Sequence, residues 1–269
     1  METFADYILG EENIVSKIEI VYYLSKKTNI FFDKSVIFKT EILRQFIEYM
    51  KIDVDKNMIL TASLLCNCKK VNNAQKLGIL KTYALEGALY LSELGFNKRF
   101  CKICEEVNRY SESNPREKES DILELADQFG GMLLSRPERI GMDTAEATVL
   151  LQHRNLKDVY NRYLNTFLEY VEETEGIELE DTTKITPFKK LVKIESETPE
   201  LKDFVRKIAY EYSPEVDKKI TERRKRIGET ILNVDNHNPN RALFSKETTQ
   251  KILKHIENTA TTADDWLKH

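Results

Sequence analysis

Apolar residues recur at steps of three and four along most of this chain. The spacing runs through Ile14-Ile18-Val21, Ile42-Phe46-Met50, Leu77-Leu80-Ala84-Ala88-Leu91, Ile122-Leu125-Phe129 and Tyr160-Tyr163-Phe167-Tyr170. Each set falls on one face of an α-helix, so the pattern predicts an all-α protein. No run of alternating strand character and no internal repeat interrupts it. The punctuation agrees. Gly95 follows Leu91-Ser92-Glu93-Leu94 as a C-terminal cap, and Ser120-Asp121 sits near the start of the next helix. Asp143 opens DTAEATVLL with Glu146 three residues on, close to a capping box.

Two polar stretches read as joints, Gly176 to Pro187 and the Asn-rich Asn233 to Pro239, while Pro199 and Pro214 mark further starts or breaks. A last helix is expected around Lys246–Asn258, with a loosely held tail from Thr259 to His269 that Trp266 pins to the body.

Composition narrows the class. At 269 residues the chain is long enough for a sizeable core, and 32% charged residues with only 9 Gly and 6 Pro suit a helix-rich protein with short connections. No apolar run has membrane length, and the acidic start METFADYILGEEN lacks the features of a signal peptide, so a cytoplasmic location is expected. A net charge of −4 argues against a general nucleic-acid binder. The local exception is Lys218-Lys219 through Arg223-Arg224-Lys225-Arg226, on a helix with Ile220, Ile227 and Ile231 as its buried stripe. It reads as a solvated basic face, with a docking surface for an acidic partner or nucleic acid as the second reading.

The four cysteines form two close pairs, Cys66-x-Cys68 and Cys101-x-x-Cys104. Two such pairs suit a four-thiolate zinc or iron–sulfur site, or else four small buried apolar residues in a reducing cytoplasm. Cys101 and Cys104 share a helix face; Cys66 and Cys68 would need a broken helix to do so. The aromatic series from Tyr160 to Tyr170 reads as core packing, with a homodimer seam on a 156–175 helix as the alternative.

Two segments carry a family resemblance. Residues 60–70 read LTASLLCNCKK and residues 116–139 read REKESDILELADQFGGMLLSRPER. Together they resemble blocks of the HD-GYP branch of the HD phosphohydrolases, in which a His-Asp pair precedes Gly-Lys and A-D-x-F-D-A-M precedes R-P-Y-R. The likeness covers roughly residues 36–155. It implies an HD-domain-like helical bundle there, with a helical lead at 1–35 and a C-terminal helical extension at 156–269.

The same likeness shows what has been lost. The first family His should fall in VIFKTEILRQF, near Phe38 to Glu41, where no His occurs. Cys66-Asn67 stand for the His-Asp pair, Tyr83 for the His of H-P-x-x-G, and Glu106-Val107-Asn108 for His-His-Glu. Ser111 to Pro115 replace the Gly-Tyr-Pro loop, with only the Pro in place. Lys70, Gly87, Asp127, Arg136, Pro137 and Arg139 remain at family positions. The four His residues, at 153, 237, 255 and 269, all fall elsewhere.

A two-metal centre needs several fixed donors and a bridging carboxylate, and a lone Asp127 supplies neither. The resemblance therefore implies a catalytically inactive, cofactor-free relative: a regulatory or scaffolding module of bacterial signalling that acts through a protein partner. The alternatives are a cyclic-dinucleotide sensor without turnover, reading phosphate with Lys70, Arg109, Arg136 and Arg139, and a phosphodiesterase rebuilt around one metal by Asp127, Glu106, Glu86 and Cys66. On the inactive reading Arg136 and Arg139 pair with carboxylates such as Asp127 or Glu124, and Asp127 joins helix to helix.

Overall fold

The computed structural model describes residues 3–70, 77–107, 115–136, 139–157, 161–176 and 186–207. The basic run at 218–226, the joint at 233–239, the helix at 246–258 and Trp266 lie outside the described residues. Among them the regular structure is helical, joined only by one isolated antiparallel bridge between Arg136 and Arg139. No helix there is long and apolar enough to cross a membrane. The all-α expectation holds.

Eleven helices are described: α1 (Phe4–Gly10), α2 (Ile14–Lys27), α3 (Lys34–Met50), α4 (Lys56–Leu65), α5 (Leu77–Glu93), α6 (Lys98–Glu106), α7 (Lys118–Leu133), α8 (Thr144–Lys157), α9 (Leu164–Glu175), α10 (Pro187–Glu197) and α11 (Leu201–Lys207). Short polar residues start many of them. Asn13, Asp33, Asp55, Asn97 and Thr186 each accept a hydrogen bond from an otherwise orphaned N–H of the first turn. Asp143 and Glu146 complete the expected capping box of α8, with reciprocal bonds of 2.8 and 3.2 Å. Gly95 ends α5 at φ +94°, where the N–H groups of Gly95 and Phe96 reach back to the carbonyls of Ser92 and Leu91. That is the paired bond of a Schellman motif.

α3 is the axis of the bundle. It packs on α7 and α4, and also receives α9, α10 and α11. The expected apolar faces point inward: Ile18, Val21, Ile42, Phe46, Ala84, Ala88, Leu91, Ile122, Leu125 and Phe129 are all buried. Phe46 of α3, Phe129 of α7, Phe167 and Tyr170 of α9 and Phe188 of α10 stack into one aromatic cluster, with ring centroids 4.8 to 5.9 Å apart. Phe167 and Tyr170 are thus committed to the chain's own core, while Tyr160 lies outside the described residues.

The ends of the described chain are tied to the centre. Buried Lys17 of α2 donates to the Ile8 carbonyl and to Thr61 Oγ1, joining α1, α2 and α4. Lys34 donates to the carbonyls of Glu195 and Thr198, at 2.7 and 2.6 Å, and so places an ammonium on the negative end of α10.

Candidate functional site

The segment resembling a His-Asp block leaves α4 as a turn. The N–H groups of Cys66, Cys68 and Lys70 bond to the carbonyls of Ala62, Leu65 and Asn67 in succession, at 2.7, 2.9 and 2.8 Å. α4 has ended at Leu65, so Cys66 and Cys68 can both turn inward, and both are buried. Asn67, buried between them, aims its amide at the middle of α7 and donates from Nδ2 to Asp127 Oδ1 at 2.9 Å.

Asp127 has a second partner on α3. Lys39 Nζ lies 2.7 Å from the same oxygen, and both side chains are largely buried. Burial alone would push the Asp127 carboxyl up. The Lys39 and Lys70 ammonium groups, with the hydrogen bonds from Lys39 and Asn67, overcome that and hold it well below the usual carboxylate range. Of two adjacent glycines on α7, Gly130 makes room for Lys39 and Gly131 lies in ordinary contact with it. A methyl group at Gly130 would stand 3.0 Å from Lys39 Cγ, and one at Gly131 would stand 3.7 Å from Lys39 Nζ.

The same corner collects two more cations. Lys70, half-buried, has its Nζ 5.6 Å from the centre of the Tyr83 ring. Burial, reinforced by Lys39 and Arg136, lowers its pKa to about 8 against the pull of Asp127. A methyl group at Gly131 would also meet an Arg136 guanidinium nitrogen at 3.1 Å. Arg139 donates to the Gly131 carbonyl at 2.6 Å, and the Arg136–Arg139 backbone pair, at 2.7 and 3.0 Å, closes the turn.

This geometry corrects one expectation. Among the described residues the ion-pair partners of Asp127 and Glu124 are Lys39 and Arg116, not Arg136. Asp127 does bridge two helices, but its partner is Lys39. Glu124 instead takes Arg116, at 2.6 Å, and accepts from Gln128. Lys39 is the residue that sequence reasoning missed. Its signal was present, because it lies in the segment where the family resemblance expects the first His and on the face of α3 that buries Val36 and Ile42.

Glu106 does not join the cluster. Its Oε2 accepts from Ser120 Oγ at 2.7 Å and from the Glu117 N–H at 2.8 Å, near the start of α7 and two turns before Asp127. Beside it Asp121 binds Arg116 at 3.1 Å and Arg162 at 2.6 Å. Val107 is buried at the end of α6, Gly87 packs against Cys68 Sγ, and Glu86 is exposed on α5. Asn108, Arg109 and Pro137 lie outside the described residues, as do three of the four His. The fourth, His153, is exposed on α8.

Would these residues hold a metal? Among the described residues Asp127 is the carboxylate that Lys39 and Asn67 meet, and their ammonium and amide N–H already occupy one of its oxygens. Both are donors, so neither can serve as a ligand. The residues present do not fit the dinuclear centre that the resemblance implies. The cysteines are all free and buried. Burial pushes the thiols of Cys66 and Cys104 far up and that of Cys68 to about 12, so they stay protonated at neutral pH. Among the described residues no group of three or more His, Cys, Asp and Glu is arranged to hold a metal ion. No family model, no curated protein and no solved structure matches the chain.

Proposed function

We propose that this chain is a non-catalytic, HD-GYP-like binding protein, a regulatory or scaffolding module that works by contact rather than turnover. The observation that carries the reading is the Lys39–Asp127 pair. An ammonium stands against the Asp127 carboxylate where metal-dependent hydrolysis would need a divalent ion, and Asn67, in place of a carboxylate, turns a donor toward it. A lysine charge cannot activate water as a metal does. The cluster therefore suits holding a structure, or an anion, and not cleaving one.

For contact with a protein partner, α5 offers Leu85 and Leu89, one turn apart and 50% and 60% exposed. The test is an assay of purified chain with cyclic di-GMP and linear dinucleotides, in the presence of magnesium, manganese or ferrous iron. The expected result is no hydrolysis above buffer. Metal-dependent turnover that disappears in Asp127→Asn would overturn the proposal.

A further inference from the structure

Arg116 serves two carboxylates at once. Its Nη2 lies 2.6 Å from Glu124 Oε2 and its Nε 3.1 Å from Asp121 Oδ1, and both acids are buried on successive turns of α7. Asp121 has a second cation besides, because Arg162 Nε stands 2.6 Å from its other oxygen. Among the described residues, Glu124 has its share of Arg116 and the Gln128 amide. Of two buried carboxylates on one guanidinium, the one with the poorer counter-charge gains most from a proton. That one is Glu124. Burial, with Asp121 and Asp127 adding to it, pushes its carboxyl up to about 7 against the pull of Arg116.

Other charges near α7 are engaged elsewhere. α6 turns Lys102 to Glu106 and Glu117, and Arg99 to Glu117 and Glu119. α3 turns Lys39 to Asp127 and holds Glu41 against Arg44. On α4 and α8, Lys56, Glu146, His153 and Arg154 are exposed.

The same guanidinium fastens three pieces of chain. Arg116 Nη2 also donates to the Glu106 carbonyl at the end of α6, at 2.9 Å, and the Arg116 carbonyl accepts from Arg162 at 3.0 Å. Beside them Asn161 donates to the Asp121 carbonyl at 2.8 Å. The end of α6 and the residues leading into α9 are thus held on the first turns of α7 by groups that Glu124 meets directly or through one contact.

We propose that Glu124 is a proton-operated switch, which sets how firmly Arg116 and Arg162 hold the end of α6 and the start of α9 on α7. With its proton, Glu124 is a neutral acid and the node stays closed and dry. Without it, a buried carboxylate with half a counter-ion is better served by water, which reaches it when the node loosens. The closed node binds the proton more tightly than an opened one. Opening is therefore favoured as pH rises from 4.5 toward 7, and it levels off above that.

Carboxyl-carbon NMR of the full chain, with Glu124→Gln to identify the signal, would follow the proton directly. A midpoint near 7 is expected. Asp121→Asn, which leaves Arg116 to Glu124 alone, should move it down by at least about half a pH unit. A midpoint near the ordinary 4.5, or one that a folded Asp121→Asn leaves in place, would overturn the proton site. If Asp121→Asn fails to fold, the parent titration decides.

Hydrogen exchange tests the coupling. The Glu117 N–H is held by Glu106 Oε2 and the Tyr163 N–H by Asn161 Oδ1. Corrected for the chemical rate, both should open at least about tenfold more at about pH 7 than at about pH 5. Glu124→Gln, uncharged at every pH, should keep both slow throughout. Opening that ignores pH in the parent, or that rises equally in Glu124→Gln, would overturn the switch.

Discussion

Lys39 Nζ sits 2.7 Å from Asp127 Oδ1, an ion pair that fastens α3 to α7 across the most heavily packed helix interface of the bundle. Only 6% of the Lys39 side chain and 16% of the Asp127 side chain are exposed. Solvent therefore cannot replace either partner once the other is removed. Lys39→Met should lower stability by about 3 kcal/mol, measured by urea unfolding, because it strands a buried carboxylate. The double variant Lys39→Met/Asp127→Leu should regain much of that loss, since an apolar pair leaves no buried charge. A double variant as unstable as the single one would show that the loss comes from packing and not from the charge.

The same pair sets the acid limb of the stability curve. The folded-state pKa of Asp127 is depressed, so its contribution is fully present above the unfolded value of 3.8 and is lost as pH falls toward the folded value. Stability should drop below about pH 4, and Asp127→Asn should flatten that drop. Unfolding midpoints at half-unit pH steps would check it.

Glu124 works in the opposite sense. Burial raises its pKa to about 7 in spite of Arg116, so the folded state keeps a proton that the unfolded chain releases above 4.5. Its contribution is complete below 4.5 and is lost as pH rises through 7. Glu124→Gln should make stability less dependent on pH across that window. A slope unchanged in the variant would assign it to another group.

Phe167 lies at the centre of the aromatic cluster and is fully buried. Phe167→Ala should cost about 3–5 kcal/mol through lost burial and the cavity left behind. If α9 were instead a dimer seam, the same change would alter the sedimentation coefficient and leave the monomer's stability near that of the parent.

Gly95→Ala should cost more than about 1 kcal/mol. The left-handed backbone that ends α5 disfavours any Cβ, and this one would stand 2.9 Å from Thr3 Cβ. Thermal melts of the variant would read both effects together.

Much of the fold was legible in the residues. A helix declares itself locally, through apolar positions three and four apart and through caps such as Asp143–Glu146 and Gly95, because its hydrogen bonds close within one turn. Within the described residues those features stand where they were expected. The inward face of Phe167 and Tyr170 was legible for the same reason. Which aromatics they would meet was not, because Phe46, Phe129 and Phe188 come from helices far apart in sequence.

The candidate corner divides along the same line. Residue types alone showed that Cys66, Asn67 and Tyr83 carry neither an imidazole nor a carboxylate, and that Asp127, Lys70, Arg136 and Arg139 are charged. Partner choice is a different kind of fact. Arg136 and Arg139, close to Asp127 in sequence, were the natural counter-ions on paper, yet the pair forms with Lys39, 88 residues away. A bend in the chain decided it: the turn after α4 carries the Asn67 amide to Asp127, while Gly130 leaves the space beside Lys39 that a Cβ would crowd. Sequence periodicity reports which way a side chain faces on its own helix. What it faces there depends on how the helices dock, and that long-range packing set Lys39 of α3 against Asp127 of α7.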